Sequence, residues 1–313
     1  MKTVAVVLEK PEQLALRQID LAAVSPDDIV VQAEWSGISS GTERLLWTGR
    51  MPHFPGMGYP LVPGYETVGR VVSAGDNSTL RAGDEVFVPG ANCYGEIKGL
   101  FGGAASTIVL PARRAVPLPR GLGETGILFA LAATAHHAVA GPNATCPDLI
   151  VGHGILGRLI ARIALALGQA APTVWERNPL RREAAGAYPV ITPDDDPRRD
   201  YGAICDASGN AALLDTLIAR LNKGGEITLA GFYETPISFA FPPAFMREAR
   251  LRIAAEWTPD DIAAVRRLID TGRLDLSGLI TNRAAAGDAN NAYRTAFADP
   301  ACLKMILDWR TIQ

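Results

Sequence analysis

The sequence predicts an α/β chain in which a β-rich N-terminal domain precedes a doubly wound parallel sheet. Three observations predict it. Short apolar runs separated by Pro and Gly fill the first 120 residues or so. Strand and helix patterns then alternate from about 125 to 257, the signature of βαβ units. A glycine fingerprint sits where the first strand of that alternation meets its first helix.

Taken in order, the runs at 4–8, 29–33, 67–72, 85–88 and 106–110 have the length and apolar content of strands. Ser25-Pro26-Asp27-Asp28 and Ala82-Gly83-Asp84 supply turn chemistry between them. Strands are expected at 149–151, 173–176, 203–206 and 226–230, with helices at 155–167 and 211–221. Thr258-Pro259-Asp260-Asp261 caps a further helix, in which Ile262, Val265, Leu268 and Ile269 recur at helical spacing. Residues 304–307 form a final apolar strand, and no internal repeat or long linker interrupts the chain.

Composition removes several functional classes. The 313 residues are 48% hydrophobic and 20% charged, enough for two domains at roughly 100–200 residues each. A net charge of −3 leaves no basic stripe for nucleic acid. No window approaches the ~18 uninterrupted apolar residues that a membrane span needs. The apolar run ahead of Glu9 and Lys10 is too short for a secretory signal, so a cytoplasmic location is expected. Cys93, Cys146, Cys205 and Cys302 lie far apart without a C-x-x-C pair, which argues against a disulfide framework or a compact thiolate zinc site.

Gly152-His153-Gly154-Ile155-Leu156-Gly157 fits G-x-G-x-x-G, with an apolar strand running into Gly152 and an amphipathic helix following Gly157. In such a corner the first glycine permits the tight turn, and the second admits a pyrophosphate to the backbone. The third lets helix and strand pack closely. Free N–H groups at Ile155 and Leu156 and the positive helix end then face the diphosphate. The alternative is a glycine-rich corner without a ligand.

Glu176 follows Gly157 by 19 residues, close to the ~20 expected of the acid that binds an adenosine ribose diol. A carboxylate 4 Å from a 2′-phosphate is repelled by about 4 kcal/mol at an effective dielectric of 20. Accepting ribose hydroxyls instead gains roughly 1.5–3 kcal/mol per bond. NAD is therefore the expected cofactor. Arg177 can soften that preference, whereas Arg181 and Arg182 read as a solvated helix face. Ser208, in Asp206-Ala207-Ser208-Gly209, ends a strand on the side where doubly wound sheets bind ligands.

These residues resemble the medium-chain dehydrogenase/reductase superfamily across essentially the whole chain. The likeness rests on Pro63-Gly64-Tyr65-Glu66-Thr67-Val68-Gly69, Gly83-Asp84-Glu85-Val86, the fingerprint, Asp206-Ala207-Ser208-Gly209, Gly224-Gly225-Glu226-Ile227 and Ile269-Asp270-Thr271-Gly272-Arg273-Leu274-Asp275. It implies a GroES-like catalytic domain at 1–125, a Rossmann NAD-binding domain at 126–257, and a C-terminal return to the catalytic domain at 258–313. Substrate would lie in the cleft between the domains. Self-association as a homo-oligomer is a further expectation by analogy.

The departures from the zinc-dependent pattern matter most. Where zinc members carry Cys in G-x-C-G-T-D, this chain has Gly37-Ile38-Ser39-Ser40-Gly41-Thr42-Glu43. Gly64-Tyr65-Glu66 replaces G-H-E, and residues 129–131 offer no third ligand. Zinc takes Cys, His or carboxylate donors, usually three at a catalytic site, so no metal is expected. Within the zinc-less members, the segment 36–64 and Gly99-Leu100-Phe101-Gly102-Gly103-Ala104-Ala105-Ser106 resemble a branch that oxidises the 1-hydroxyethyl group of a chlorin or bacteriochlorin tetrapyrrole. The resemblance implies a large, flat substrate.

Without a Lewis acid, hydroxyl donors must steady the developing alkoxide. Tyr65 occupies a lost ligand position, Thr42 matches the hydroxyl that relays the alcohol proton, and Ser39 or Ser40 stands where the ligand Cys would be. Glu66 would orient Tyr65 or the chain around it. Each also reads as an ordinary structural residue, and a phenol with a pKa of about 10 is a poor base at neutral pH. A conjugated macrocycle would also stabilise charge on the carbinol carbon. Trp47, Met51, Phe54, Met57 and Tyr59 suggest an apolar wall, with Arg44 and Arg50 available to a propionate. His53 is either a loop residue or a ligand to a chelated magnesium, and His136-His137 read as packing residues. Two other classes stay open: an NADPH-dependent enone or quinone reductase, and a dinucleotide-binding protein without chemistry.

Overall fold

An eleven-residue strand, Asp28–Ile38, is the axis of the first of two compact units in the computed structural model. The structure describes residues 1–53, 55–119, 121–182 and 187–312. The first unit comprises Met1–Leu128 with Leu276–Gln313, and the second Phe129–Asp275.

In the first unit, Asp28–Ile38 is flanked by the antiparallel strands Met305–Asp308 and Thr67–Ala74. Ile38 pairs with Met305 and Ser36 with Thr67, so Lys304, Ile38–Ser39 and Tyr65–Glu66 leave their strands at the same end of the sheet. That register builds the chemistry described below. Glu85–Val88 and Val116–Pro117 extend the sheet on one side, and Asn282–Ala285 ends it on the other. A second sheet, of Gln13–Asp20, Lys2–Lys10, Leu61–Val62 and Lys98–Gly99, joins the same apolar core, where Val6, Val7, Leu8 and Ile29 are fully buried.

The second unit is a six-stranded, all-parallel sheet. Its spatial order is Val190–Ile191, Thr173–Trp175, Leu149–Val151, Tyr201–Asp206, Leu221–Leu229, Arg250–Ile253. In chain order that is 3-2-1-4-5-6, the doubly wound dinucleotide-binding arrangement. Leu149 and Ile150 are fully buried because helices cover both faces of a parallel sheet.

Two departures from the sequence expectations are larger than a shift of a few residues at an element's end. The helix expected at 211–221 is a 3₁₀ turn, Ala211–Leu213, followed by Leu214–Arg220, and the next strand starts early, at Leu221. The return placed at 258 occurs at Leu276. Helix Pro259–Asp270 packs instead on helix Phe129–Ala140 of the second unit. The reason lies in Asp261. It closes the capping box with Thr258, and its two carboxylate oxygens meet His136 Nδ1 at 2.7 Å and His137 Nδ1 at 2.8 Å.

Candidate active site

In the second unit three strands end level. Val151 is in register with both Trp175 and Asp206, so the segments starting at Gly152, Glu176 and Ala207 emerge side by side at the carboxyl edge of the sheet. Gly152 turns there with φ +94°, a conformation that a Cβ would strain. A Cβ on Gly157 would lie 1.9 Å from the Gly152 carbonyl oxygen, so helix Ile155–Ala166 can approach its strand only through glycine. Gly154 is different, because a Cβ there meets nothing within 4 Å. No side chain caps the helix, and its first turn carries no acidic residue. Open space before uncapped N–H groups, at Ile155 and Leu156 among others, fits a diphosphate.

Glu176 borders that space. Its Oε2 accepts the His153 N–H at 3.0 Å and its Oε1 the Asn178 N–H at 2.8 Å. A carboxylate has about four lone-pair sites, so each oxygen retains one for a hydroxyl. Arg177 is exposed and lies 3.5 Å from Asp194. Ser208 is exposed beside Gly152, its N–H on Asp206 Oδ1 at 2.8 Å and its Oγ accepting the Asn210 N–H at 3.1 Å.

His153, the variable residue inside the fingerprint, has a structural role the sequence did not reveal. It is fully buried, with Nδ1 2.6 Å from the Arg181 carbonyl and Nε2 3.0 Å from the Tyr188 hydroxyl. A carbonyl only accepts, so Nδ1 carries the proton and Nε2 accepts from Tyr188. Burial lowers the pKa of this imidazole and keeps it neutral. It ties the fingerprint to the Pro179–Arg182 helix that follows Glu176.

In the first unit, strand ends bring together Ser39, Thr42, Tyr65 and Glu66. The Tyr65 hydroxyl donates to Ser39 Oγ at 2.7 Å, and the Thr42 side chain is close enough to favour its charged form slightly. The Tyr65 ring meets Phe101 edge-on, with centroids 5.2 Å apart. Ser40 is exposed and stands apart from this chain of three hydroxyls. Desolvation first, and then the negative charge of Glu66, push the Tyr65 pKa well above that of a free phenol. A base role for Tyr65 requires the opposite shift; here the phenol is held protonated and donates to Ser39.

Glu66 faces away from that hydroxyl. Its fully buried carboxylate forms an ion pair with the buried ammonium of Lys304, while its Oε1 has no hydrogen-bond partner among the described residues. Gly37 permits the pair, since a Cβ there would lie 2.4 Å from Glu66 Oε2. A second buried carboxylate, Glu43, accepts the Ser39 N–H at 3.1 Å and the Tyr293 hydroxyl at 2.7 Å. Burial raises its pKa to about 7. Sequence reasoning passed over Glu43, Tyr293 and Lys304. A lone lysine beginning an apolar strand was the available signal.

The expected apolar wall needs correction. Trp47 is buried against Tyr293 and Phe297, with centroids 6.3 and 6.1 Å away, because helix Thr42–Thr48 turns it into the core. Met51, Met57 and Tyr59 are partly buried against the same core, and Phe54 lies outside the described residues. Arg44 and His53 are exposed.

The zinc-ligand positions of the superfamily are filled here by a serine hydroxyl, a phenol with raised pKa and a carboxylate already paired with an ammonium. That donor set does not fit zinc. Among the described residues, no three His, Cys, Asp or Glu side chains are grouped to hold a metal ion.

Comparison with known proteins follows the same lines. Residues 25–120 match the alcohol dehydrogenase GroES-like domain family. The chain is 56% identical over 311 residues to the 2-desacetyl-2-hydroxyethyl bacteriochlorophyllide A dehydrogenase of Rhodobacter capsulatus, covering 99% of each. Identity to the protein of that name from Cereibacter sphaeroides is 57% over 315 residues, again with 99% of each covered. Among solved structures, an alcohol dehydrogenase from E. coli CFT073 in complex with NADH superposes with a TM-score of 0.84 at 20% identity, covering 98% of this chain and 99% of that one. The last likeness bears on the fold alone. The chain belongs to the bacteriochlorophyllide dehydrogenase family of the medium-chain dehydrogenase/reductase superfamily.

Proposed function

We propose that the protein oxidises the 3-(1-hydroxyethyl) group of a bacteriochlorophyllide to 3-acetyl, late in bacteriochlorophyll a synthesis, with NAD as hydride acceptor and without zinc. The observation that carries this reading is 56–57% identity over nearly the full length of two dehydrogenases named for that substrate. In balance, the carbinol loses a hydride to the nicotinamide and a proton from its hydroxyl, leaving a ketone.

Gly152, Gly154, Ile155, Leu156 and Gly157 would hold the diphosphate, and Glu176, with Arg177 and Ser208 beside it, the ribose end. Bound there, the dinucleotide supplies the electron acceptor. Glu176 favours NAD over NADP by the charge argument above. Ser39, Tyr65 and Thr42 would receive the substrate hydroxyl and pass its proton outward, with Thr42 half-exposed at the solvent end. Ser39, whose Oγ accepts from the protonated Tyr65, would turn its own hydrogen to the oxygen as negative charge develops.

Protein, NAD and a 3-hydroxyethyl bacteriochlorophyllide should give NADH together with the red-shift of a newly conjugated acetyl group. Retained activity after chelation supports the zinc-free site. Failure with that substrate, joined to rapid NADPH-driven reduction of small enones, would replace the assignment. Dinucleotide binding without turnover on either would leave a binding protein.

We also propose a homo-oligomer. Of the twelve large hydrophobic side chains exposed among the described residues, eight lie between Phe232 and Ile253. Phe241, Phe245, Met246 and Ile253 are each at least 65% exposed, and strand Arg250–Ile253 is a free sheet edge. At roughly 150–250 Å² for a large side chain, the exposed fractions amount to about 800 Å², one partner's share of a standard interface. A second copy related by two-fold symmetry pairs such an edge with itself. Light scattering showing a monomer would remove this proposal. No helix is long and apolar enough to cross a membrane among the described residues, and we propose a cytoplasmic location.

A further inference from the structure

We infer that Lys304 and Glu43 are positioning residues for the oxidation: from opposite ends of the chain they grip the two polar ends of one peptide unit, Ile38–Ser39, and so fix the Ser39 hydroxyl that Tyr65 addresses. The inference rests on the proposed function for its consequence, and on geometry for the grip itself.

The Lys304 ammonium donates to the Ile38 carbonyl at 3.3 Å. The N–H of the same peptide unit, on Ser39, donates to Glu43 Oε1 at 3.1 Å. Ser39 Oγ, one side chain away, accepts the Tyr65 hydroxyl at 2.7 Å. Each gripping group is itself held. Lys304 is balanced by Glu66, and Glu43 Oε2 by the Tyr293 hydroxyl at 2.7 Å. The peptide lies where Asp28–Ile38 stops: Ile38 is the last residue in register with Met305, and Ser39 lies beyond the strand, where its N–H is taken by Glu43 and not by the ladder.

Neutral partners would satisfy a neutral peptide. Burying the Lys304–Glu66 ion pair and a second carboxyl group for this purpose is costly in free energy, and such groups are better explained by the geometry they impose than by stability they add. Reacting groups lose rate steeply when misplaced, by about 100-fold for 1 Å. Lys304 is not placed to activate Tyr65 directly, since its charge is spent on Glu66 and on the Ile38 carbonyl.

The test pairs turnover with amide exchange. Lys304→Met combined with Glu66→Gln removes both charges together, so that neither is left uncompensated, and takes the ammonium donor from the Ile38 carbonyl. We expect kcat to fall about 10- to 100-fold with little change in KM, Lys304→Arg to keep most of the rate, and the Ser39 amide to exchange faster in Glu43→Ala. In a Ser39→Ala background the Lys304/Glu66 change should add little further loss, because its effect runs through Ser39. Equal losses in both backgrounds, unchanged kcat in the presence of Ser39, or an unprotected Ser39 amide in the wild type would each overturn the inference. A wild type that oxidises no hydroxyethyl tetrapyrrole refutes the proposed function instead, and removes the catalytic role while the exchange result still decides the grip.

Discussion

Glu43 should make the stability of the protein fall as pH rises through neutrality. Its carboxyl is fully buried, and burial raises its pKa from 4.5 to about 7 despite hydrogen bonds from Tyr293 and Ser39. The folded chain therefore binds this proton more tightly than the unfolded chain. The stabilisation is complete below about pH 4.5 and is lost as pH rises through about 7. A shift of that size, at about 1.36 kcal/mol per pH unit, is worth about 3 kcal/mol. Glu43→Gln isolates it. The amide carbonyl can still accept the Ser39 N–H, its NH₂ can donate to the Tyr293 oxygen, and no charge is buried. Between pH 5 and 8 the variant should gain about 3 kcal/mol on the wild type, or roughly 6 °C in melting temperature at about 2 °C per kcal/mol for a chain of this size. Thermal unfolding of both proteins at matched ionic strength across that range measures it. A melting-temperature difference that stays constant from pH 5 to 8 would show that Glu43 is ionised in the folded state, and the burial argument would fail.

Other substitutions separate roles that the sequence merges. Gly157→Ala drives a Cβ into the Gly152 carbonyl and should unfold the fingerprint corner. Gly154→Val projects into open space and should leave the melting temperature alone while abolishing NADH binding, read by fluorescence titration. Asp261, whose pKa is lowered to about 2 by its His136, Thr258 and His137 hydrogen bonds against the opposing effect of burial, contributes stability above pH 3.8 that is lost as pH falls through about 2. Asp261→Ala should cost about 2–4 kcal/mol at neutral pH in urea titrations, since it removes a cap and strips two imidazoles of their partner. Tyr65→Phe keeps the edge-on contact with Phe101 but removes the donor. It should lower kcat about 100- to 1,000-fold without altering NADH affinity.

The doubly wound unit was legible because its signals are local. A strand, three glycines and a helix follow one another within Leu149–Ala166, and Glu176 follows at a fixed interval set by the length of one βα crossover. Tyr65 and Ser39 were legible only as positions vacated by metal ligands. Lys304, Glu43 and Tyr293 were not legible, since their meeting depends on strand register across more than 200 residues. Trp47 was misjudged for a related reason. Composition marks an aromatic-rich segment, but only the direction of helix Thr42–Thr48 decides whether the ring faces a ligand or Tyr293.

The direction of the hydroxyl chain follows from the charges beneath it. Burial and then the charge of Glu66 disfavour a phenolate at Tyr65, so its hydrogen stays on oxygen and is donated to Ser39. Ser39 Oγ, having accepted that hydrogen, keeps its own to donate. Thr42, close to the phenol, continues the row of hydroxyls to a half-exposed end. As donated here the hydrogens point inward, so the outward transfer that oxidation requires begins with rotation of the hydroxyls, Ser39 then donating to Tyr65 and Tyr65 to Thr42. Under the proposed function each hydrogen then shifts one oxygen outward, the substrate proton entering at Ser39 and another leaving from Thr42. A metal ion would lower the pKa of the alcohol itself. Under the proposed function the oxygen that loses its proton is met by the Ser39 hydroxyl instead. The buried Glu66 carboxylate, unfavourable for a phenolate base, suits that arrangement because it helps to hold the Tyr65 hydroxyl protonated.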